Sequence, residues 1–300
     1  DGDTDVVSAS HDDRRIAWHE NDGEGRFAHH TIATSASGAS SVFAADLDGD
    51  GDVDLVSASA IDNRIVWHEN DGNGNFVDRP LANSADGAVS VFAADVDGDG
   101  DLDVAAAFAV GDHRLAWYEN RGEEGFAVHL IDSAAAVQAD YVSAADMDRD
   151  GDVDLLATGA GTGEFAWYEN NGDGEFTFRA IGTPSQSIHS LAATDVDGDG
   201  DMDILSSSWH DGQVAWYEND GNQQFTPHII AAYYNRFAHS VVAADVDGDG
   251  DMDVLSVVET WLEEATVHWY ENDGTGDFKT HTIMTGGPWG RSAVADRKST

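Results

Sequence analysis

An all-β fold built from six similar four-stranded units is predicted by three observations of this 300-residue sequence. A Trp-centred segment recurs six times. An acidic nonapeptide recurs with nearly the same period. Between them lie short apolar or alternating stretches, bounded by Gly and Asn-Asp-Gly clusters, with no helical periodicity.

The Trp segments are Trp18-His19-Glu20-Asn21, Trp67-His68-Glu69-Asn70, Trp117-Tyr118-Glu119-Asn120, Trp167-Tyr168-Glu169-Asn170, Trp216-Tyr217-Glu218-Asn219 and Trp269-Tyr270-Glu271-Asn272, at spacings of 49, 50, 50, 49 and 53. In the second unit, strand one is expected over 41–45, strand two over 55–59, strand three over 64–69 and strand four over 75–81. Asn70-Asp71-Gly72-Asn73-Gly74 supplies the positive-φ residues of a hairpin turn. Four strands at a period near 50 match a propeller blade. Strand one ends in small pairs such as Ala44-Ala45 and Ala93-Ala94, as suits the crowded innermost strand, and the Trp of strand three is expected between blades. Residues 292–296 read as a further strand one, which would join the three N-terminal strands and close a six-bladed ring with no open edge. The expected organisation is therefore one domain over residues 1–300.

Composition narrows the function. The 58 acidic and 14 basic residues give a formal net charge of −44. That excludes a direct role on nucleic-acid phosphates, and on anionic membranes through a polybasic face. No apolar run reaches the roughly 18 residues that a helical bilayer span needs. Cysteine is absent, so there is no disulfide framework and no thiolate metal site. The 41% hydrophobic content, with nine Trp, argues against an acidic disordered chain. The carboxylates must be organised.

They are organised in five copies of one loop. The pattern Asp46-Leu47-Asp48-Gly49-Asp50-Gly51-Asp52-Val53-Asp54 returns as Asp95, Asp97, Asp99, Asp101 and Asp103, then as Asp146, Asp148, Asp150, Asp152 and Asp154. It appears again as Asp195, Asp197, Asp199, Asp201 and Asp203, and as Asp245, Asp247, Asp249, Asp251 and Asp253. Five carboxylates in nine residues repel one another unless a cation sits among them, and hard oxygen ligands at alternate positions suit Ca2+. By analogy with a helix–loop–helix calcium site, positions one, three and five give carboxylates, position seven a backbone carbonyl, and the position-six Gly the sharp turn; the ninth residue offers a further carboxylate. Position twelve holds Ser57, Ala106, Ala157, Ser206 or Ser256 where an EF-hand needs Glu, so the loop is expected to join two strands instead.

These loops, with the Trp/Tyr-x-Asn-x-Gly pattern, resemble the FG-GAP/VCBS repeat family, the calcium-loop β-propellers of integrin α-chains, some fungal lectins and many secreted microbial proteins. The resemblance implies a structural calcium ion in each acidic loop and an extracellular or cell-surface address. The chain departs from the family in having six blades where seven are usual. It also departs in a sixth loop split between the termini, with Asp296, Lys298, Asp1 and Asp5 at positions one, three, five and nine. Lys298 disfavours a cation there, so five calcium sites are expected.

Calcium loops and Asn-Asp-Gly turns should share one face, leaving the opposite, variable face for a ligand. Departures from the repeat gather there late in the chain: Trp209, His210, Tyr233, Tyr234, Arg236, Trp261, Trp289 and Arg291. Aromatic rings beside Arg and His suit stacking on sugar rings and gripping hydroxyl or acidic groups. By contrast His30, Arg79, His129, Arg179, His228 and His281 recur three residues after each strand-four Phe, and read as blade features, as does the Glu of each Trp segment. The expected function is an extracellular binding or adhesion module for carbohydrate or another surface ligand. One rival is a polysaccharide-cleaving enzyme, for which Tyr233, His210, His239 and Arg236 supply suitable groups, although no Gly-x-Ser-x-Gly, phosphate loop or His-Glu-x-x-His is present. The other is a purely structural module of a larger surface protein.

Overall fold

The computed structural model describes residues 5–24, 26–82, 84–109, 114–132, 139–159, 165–182, 187–234, 236–260 and 265–287. They form six antiparallel sheets in succession, the blades of an all-β propeller fold. The first sheet holds β1 (Val6–Ser10), β2 (Arg15–Asn21) and β3 (Phe27–Ala33). The strand expected over residues 292–296, which would complete it, lies outside the described residues. The second sheet holds β4 (Ala39–Ala45), β5 (Asp54–Ser59), β6 (Arg64–Asn70) and β7 (Phe76–Ala82). The third holds β8 (Ala88–Ala94), β9 (Asp103–Phe108), β10 (Leu115–Asn120) and β11 (Phe126–Asp132). The fourth holds β12 (Ala139–Ala145), β13 (Asp154–Gly159), β14 (Phe165–Asn170) and β15 (Phe176–Gly182). The fifth holds β16 (Ile188–Thr194), β17 (Asp203–Ser208), β18 (Gln213–Asn219) and β19 (Phe225–Ala232). The sixth holds β20 (Arg236–Ala244), β21 (Asp253–Thr260), β22 (Ala265–Asn272) and β23 (Phe278–Gly287). The only helical element among the described residues is a short 3-10 turn, Gly122–Glu124.

Burial grades across each blade. The second strands β5, β9, β13 and β17 are buried along their whole length, which explains their runs of small and apolar residues. The fourth strands β7 and β15 are mostly exposed. The first strand of the second blade, expected over 41–45, starts two residues earlier, at Ala39. A register shift lies between Ala39 and Ser41, and recurs at Ala88/Ser90, Ile188/Ser190 and Ala238/Ser240. Such a bulge breaks the period-two pattern on which a sequence reading depends.

The chain groups into two compact units, residues 1–144 with 170–176, and residues 145–169 with 177–300. Within the first, neighbouring first strands touch: Phe43 and Phe92 have ring centroids 4.4 Å apart, and Ser41 Oγ accepts the Val91 N–H at 3.2 Å. Ser90 Oγ accepts the Val142 N–H in the same way, also at 3.2 Å. Val56, Ile65, Val91, Val104 and Phe108 fill the space between the second and third blades. Trp18 lies so close to Gly74 of the following blade that a Cβ there would stand 3.1 Å from the ring, and Gly74 has φ of 77°. Within the second unit, Ser190 Oγ accepts the Val241 N–H at 3.5 Å, and Leu205, Val214, Trp216, Val241, Val254 and Tyr270 pack between the fifth and sixth blades. There Trp216 lies against Gly276, again with no room for a Cβ. The expected inter-blade role is borne out for Trp18 and Trp216.

Candidate functional site

Each acidic loop joins the first and second strands of a blade, and its backbone is set by glycine. Position six has φ of 96° in Gly51 and 98° to 105° in Gly100, Gly151, Gly200 and Gly250, a region essentially confined to glycine. Position four is left-handed too, with Arg149 (φ 62°) standing where the other loops have Gly.

The turn gathers carboxylates. Oxygen atoms of positions one, three and five lie within 4.8 Å of one another in the sets Asp46/Asp48/Asp50, Asp95/Asp97/Asp99, Asp195/Asp197/Asp199 and Asp245/Asp247/Asp249. In the fourth blade the set is Asp146/Asp148/Asp154. Position one is half satisfied: Oδ2 of Asp95, Asp146 and Asp195 accepts the position-six Gly N–H at 3.1 Å, while Oδ1 of each is buried with no hydrogen-bond partner. Burial raises the pKa of the position-three carboxyls Asp48, Asp97, Asp148, Asp197 and Asp247, and neighbouring carboxylates add to the rise. Buried acceptors without donors, converging with like charges, fit a hard divalent cation.

Positions seven and nine are placed differently. The position-seven carboxylates Asp52, Asp201 and Asp251 lie against Gly72, Gly221 and Gly274 in the turn between strands three and four of their own blades. The position-nine residues Asp54, Asp103, Asp154, Asp203 and Asp253 are fully or almost fully buried. Asp103 Oδ2 accepts the Val96 N–H at 2.9 Å and Oδ1 the Asn120 N–H at 2.7 Å, and Asp54, Asp203 and Asp253 make the same pair of bonds. This residue fastens the loop to the end of strand three. Burial, opposed by those N–H groups, pushes Asp103 up to about 7 and Asp203 up to about 6. Of the split sixth loop only Asp5 is described; it accepts the Asn21 N–H and the Trp18 indole N–H, both at 2.8 Å. Asp1, Asp296 and Lys298 lie outside the described residues.

The recurring His/Arg and Glu form a second tile beside each loop. His129 stacks on Trp117 with centroids 4.6 Å apart, and its Nε2 meets Glu119 at 2.6 Å. His30, His228 and His281 repeat the arrangement, and Arg79 and Arg179 replace the imidazole over Trp67 and Trp167. Arg121, with His129, holds the Glu119 carboxyl at about 2. Their presence blade after blade makes them part of the scaffold.

At the other ends of the strands, the candidate ligand residues divide. Trp209 is half-buried in a ring cluster with Phe237 and His239, each 4.9 Å away, and His189 at 5.5 Å. Tyr233 stacks on His268 at 4.8 Å, and its hydroxyl meets that of Tyr270 at 3.0 Å. The Arg236 N–H donates to the Tyr233 carbonyl at 3.2 Å, and the Tyr233 N–H to the Gly212 carbonyl at 3.0 Å. His210 is exposed, and Tyr234 is 91% exposed. Trp261, Trp289 and Arg291 lie outside the described residues. Sequence reasoning missed Glu259, which is buried and pairs with His239 Nε2 at 2.7 Å. The signal was there: His189 and His239 replace Ser40 and Val89 of earlier blades, and Glu259 stands where Ala60 and Ala109 stand.

Repeated loops on repeated blades point to a repeat family, and the FG-GAP-like repeat model matches residues 1–57, 46–106, 146–206 and 195–256, well over half of the chain. The chain belongs to the FG-GAP-like repeat family. No curated protein matches this FG-GAP-like chain. Among solved structures it is similar to a lectin from Agrocybe aegerita that recognises non-reducing terminal N-acetylglucosamine, with 18% identity, TM-score 0.61, and 93% of this chain and 79% of that one covered. It is also similar to a functionally unknown protein from Desulfotomaculum acetoxidans (12% identity, TM-score 0.60, 94% and 80% covered). A mutant of AofleA from Arthrobotrys oligospora is comparable (16% identity, TM-score 0.58, 91% and 80% covered). At these identities the likeness is one of fold.

Proposed function

We propose that this FG-GAP-like propeller is a calcium-stabilised extracellular module that binds carbohydrate on the face carrying Trp209, His210, Tyr234 and Arg236. The observation that carries the calcium half is the five carboxylate sets, three of them with a buried, partnerless Oδ1 at position one. Magnesium keeps its waters and avoids cages built wholly from protein, whereas calcium accepts six to eight oxygens. Sites of the extracellular class bind calcium at roughly 10⁻⁴–10⁻³ M, a concentration met outside cells. The carbohydrate half is supported by the shared fold with a lectin and by the exposed Tyr234 and His210, on two loops that the Tyr233 N–H joins at Gly212.

Two measurements test it. Titration calorimetry should find about five calcium ions per chain, and chelator should lower the melting temperature sharply; an unchanged melting curve overturns the calcium reading. A glycan array run with and without calcium should give signal without product. Reducing-end release would favour the polysaccharide-cleaving reading instead, and neither signal nor release would favour a structural module.

A further inference from the structure

The outer strands of the first blade depart from the repeat twice, at one cross-strand pair. His19 on β2 faces His29 on β3. The same pair is Tyr118 and Val128 in the third blade, Tyr217 and Pro227 in the fifth, and Tyr270 and Thr280 in the sixth. In the second blade it is His68 and Asp78, where the carboxylate meets the imidazole Nδ1 at 2.7 Å. The first blade has no carboxylate at that position. It sets a second imidazole opposite the first, with ring centroids 5.0 Å apart.

The four ring nitrogens divide into two kinds. His19 Nε2 lies 3.0 Å from Ser8 Oγ, and His29 Nε2 lies 3.4 Å from Thr31 Oγ1. The two Nδ1 atoms face one another at 3.5 Å, beyond the range of an ordinary hydrogen bond, about 2.7–3.2 Å. With each Nε2–H donated to its hydroxyl, both Nδ1 atoms carry lone pairs. Two imidazole nitrogens on one tetrahedral zinc ion, each about 2.0–2.1 Å from it, stand about 3.3–3.4 Å apart. A square-planar copper ion would need adjacent nitrogens closer than this. Solvent reaches the pair, since His29 is exposed and His19 half-buried. Partial burial, and His29 beside it, hold His19 below the ordinary imidazole range, so the ring is neutral at pH 7.

We propose that His19 and His29 form a binding site for a divalent transition-metal ion, with zinc as the ion that fits the spacing. Imidazole suits zinc, whereas calcium takes oxygen ligands, so this site differs in chemistry from the acidic loops. The Ser8 and Thr31 hydroxyls hold the far nitrogens, and so fix the tautomer and the ring orientation as partners of metal-bound histidines do. Among the described residues no third His, Asp or Glu joins the pair with an atom within 4.8 Å of both. The remaining coordination positions therefore fall to water or to a ligand from outside. The inference depends on neither the calcium nor the carbohydrate reading.

The test uses the full chain in excess calcium, titrated with zinc by calorimetry. One zinc ion per chain is expected, and X-ray absorption of that complex should show two imidazole nitrogens at about 2.0–2.1 Å. His19→Tyr and His29→Val install the residues of the third blade. Each should weaken zinc binding more than about 100-fold, the upper range for losing a group that only orients a ligand. His30→Arg installs on the Trp18 ring the residue type that Arg79 and Arg179 place on Trp67 and Trp167, and should leave zinc binding unchanged. Melting curves check that each variant is folded. No zinc bound in excess calcium, fewer than two imidazole nitrogens on the bound ion, full affinity in folded His19→Tyr or His29→Val, or equal weakening in folded His30→Arg would each overturn the proposal.

Discussion

Asn120 Nδ2 donates to the carbonyl of Leu47 in the preceding blade at 2.8 Å, while the Asn120 backbone N–H holds Asp103 of its own. Asn272 repeats the first bond to Val196 at 2.7 Å. In these blades one side chain thus ties two successive acidic loops together, which gives the Asn that closes their Trp segments a physical reason.

Asn120→Ala leaves the Leu47 carbonyl without this donor in a buried place, at a cost of about 1–3 kcal/mol. Asn120→Asp should cost about as much, since a carboxylate supplies no donor. The exposed Asn73→Ala should stay within about 0.5 kcal/mol of the parent. Denaturant unfolding in calcium distinguishes them. Equal stabilities for Asn120→Ala and Asn73→Ala would show that the bond between blades contributes nothing.

Asp95→Asn keeps an acceptor for the Gly100 N–H but removes one charge from its cluster. In chelator the variant should be as stable as the parent or slightly more so, because like charges are relieved. In calcium it should lose one site's contribution, about 2.7 kcal/mol when the ion is at 100 times its Kd. Calorimetry should count one ion fewer. An undiminished count would remove position one from the ligand set.

The acid dependence of the metal-free protein follows from Asp103 and Asp203. Burial raises their folded-state pKa to about 7 and about 6, above an ordinary value of 3.8. A carboxyl raised on folding favours the protonated native state. Its stabilisation is complete below pH 3.8 and is lost as pH rises through about 6 and 7. In chelator, therefore, melting temperature should fall between pH 5 and pH 8. In excess calcium the trend should flatten or reverse, because protons and calcium compete for the same loops. A metal-free protein more stable at pH 8 than at pH 5 would contradict this.

Much of this was legible in the residues and some was not, for identifiable reasons. The Trp and acidic repeats located the second and third strands because both anchor chemistry that every blade needs. The first two residues of β4 were hidden by the bulge before Ser41. Alternate spacing identified Asp46, Asp48 and Asp50 as a cluster, but a list of oxygen donors gives no sign that Asp54 already serves two backbone N–H groups. Trp209 and Tyr233 stood out as departures, yet only the structure shows that both spend much of their surface on neighbouring rings.

That division gives the sharpest test of the binding face. Tyr234 is 91% exposed, so Tyr234→Ala should leave unfolding within about 0.5 kcal/mol of the parent. If the ring stacks on a sugar, the same change should weaken glycan binding about tenfold, the equivalent of ~1.4 kcal/mol. Trp209→Ala should behave oppositely in stability. It strips the partner from Phe237 and His239, and a large aromatic lost from a packed cluster costs about 3–5 kcal/mol when fully buried and less here, where the ring is half-exposed. Binding loss in Tyr234→Ala with an unmoved melting curve would place the ligand on this face. Unchanged binding in both folded variants would move it elsewhere on the blades.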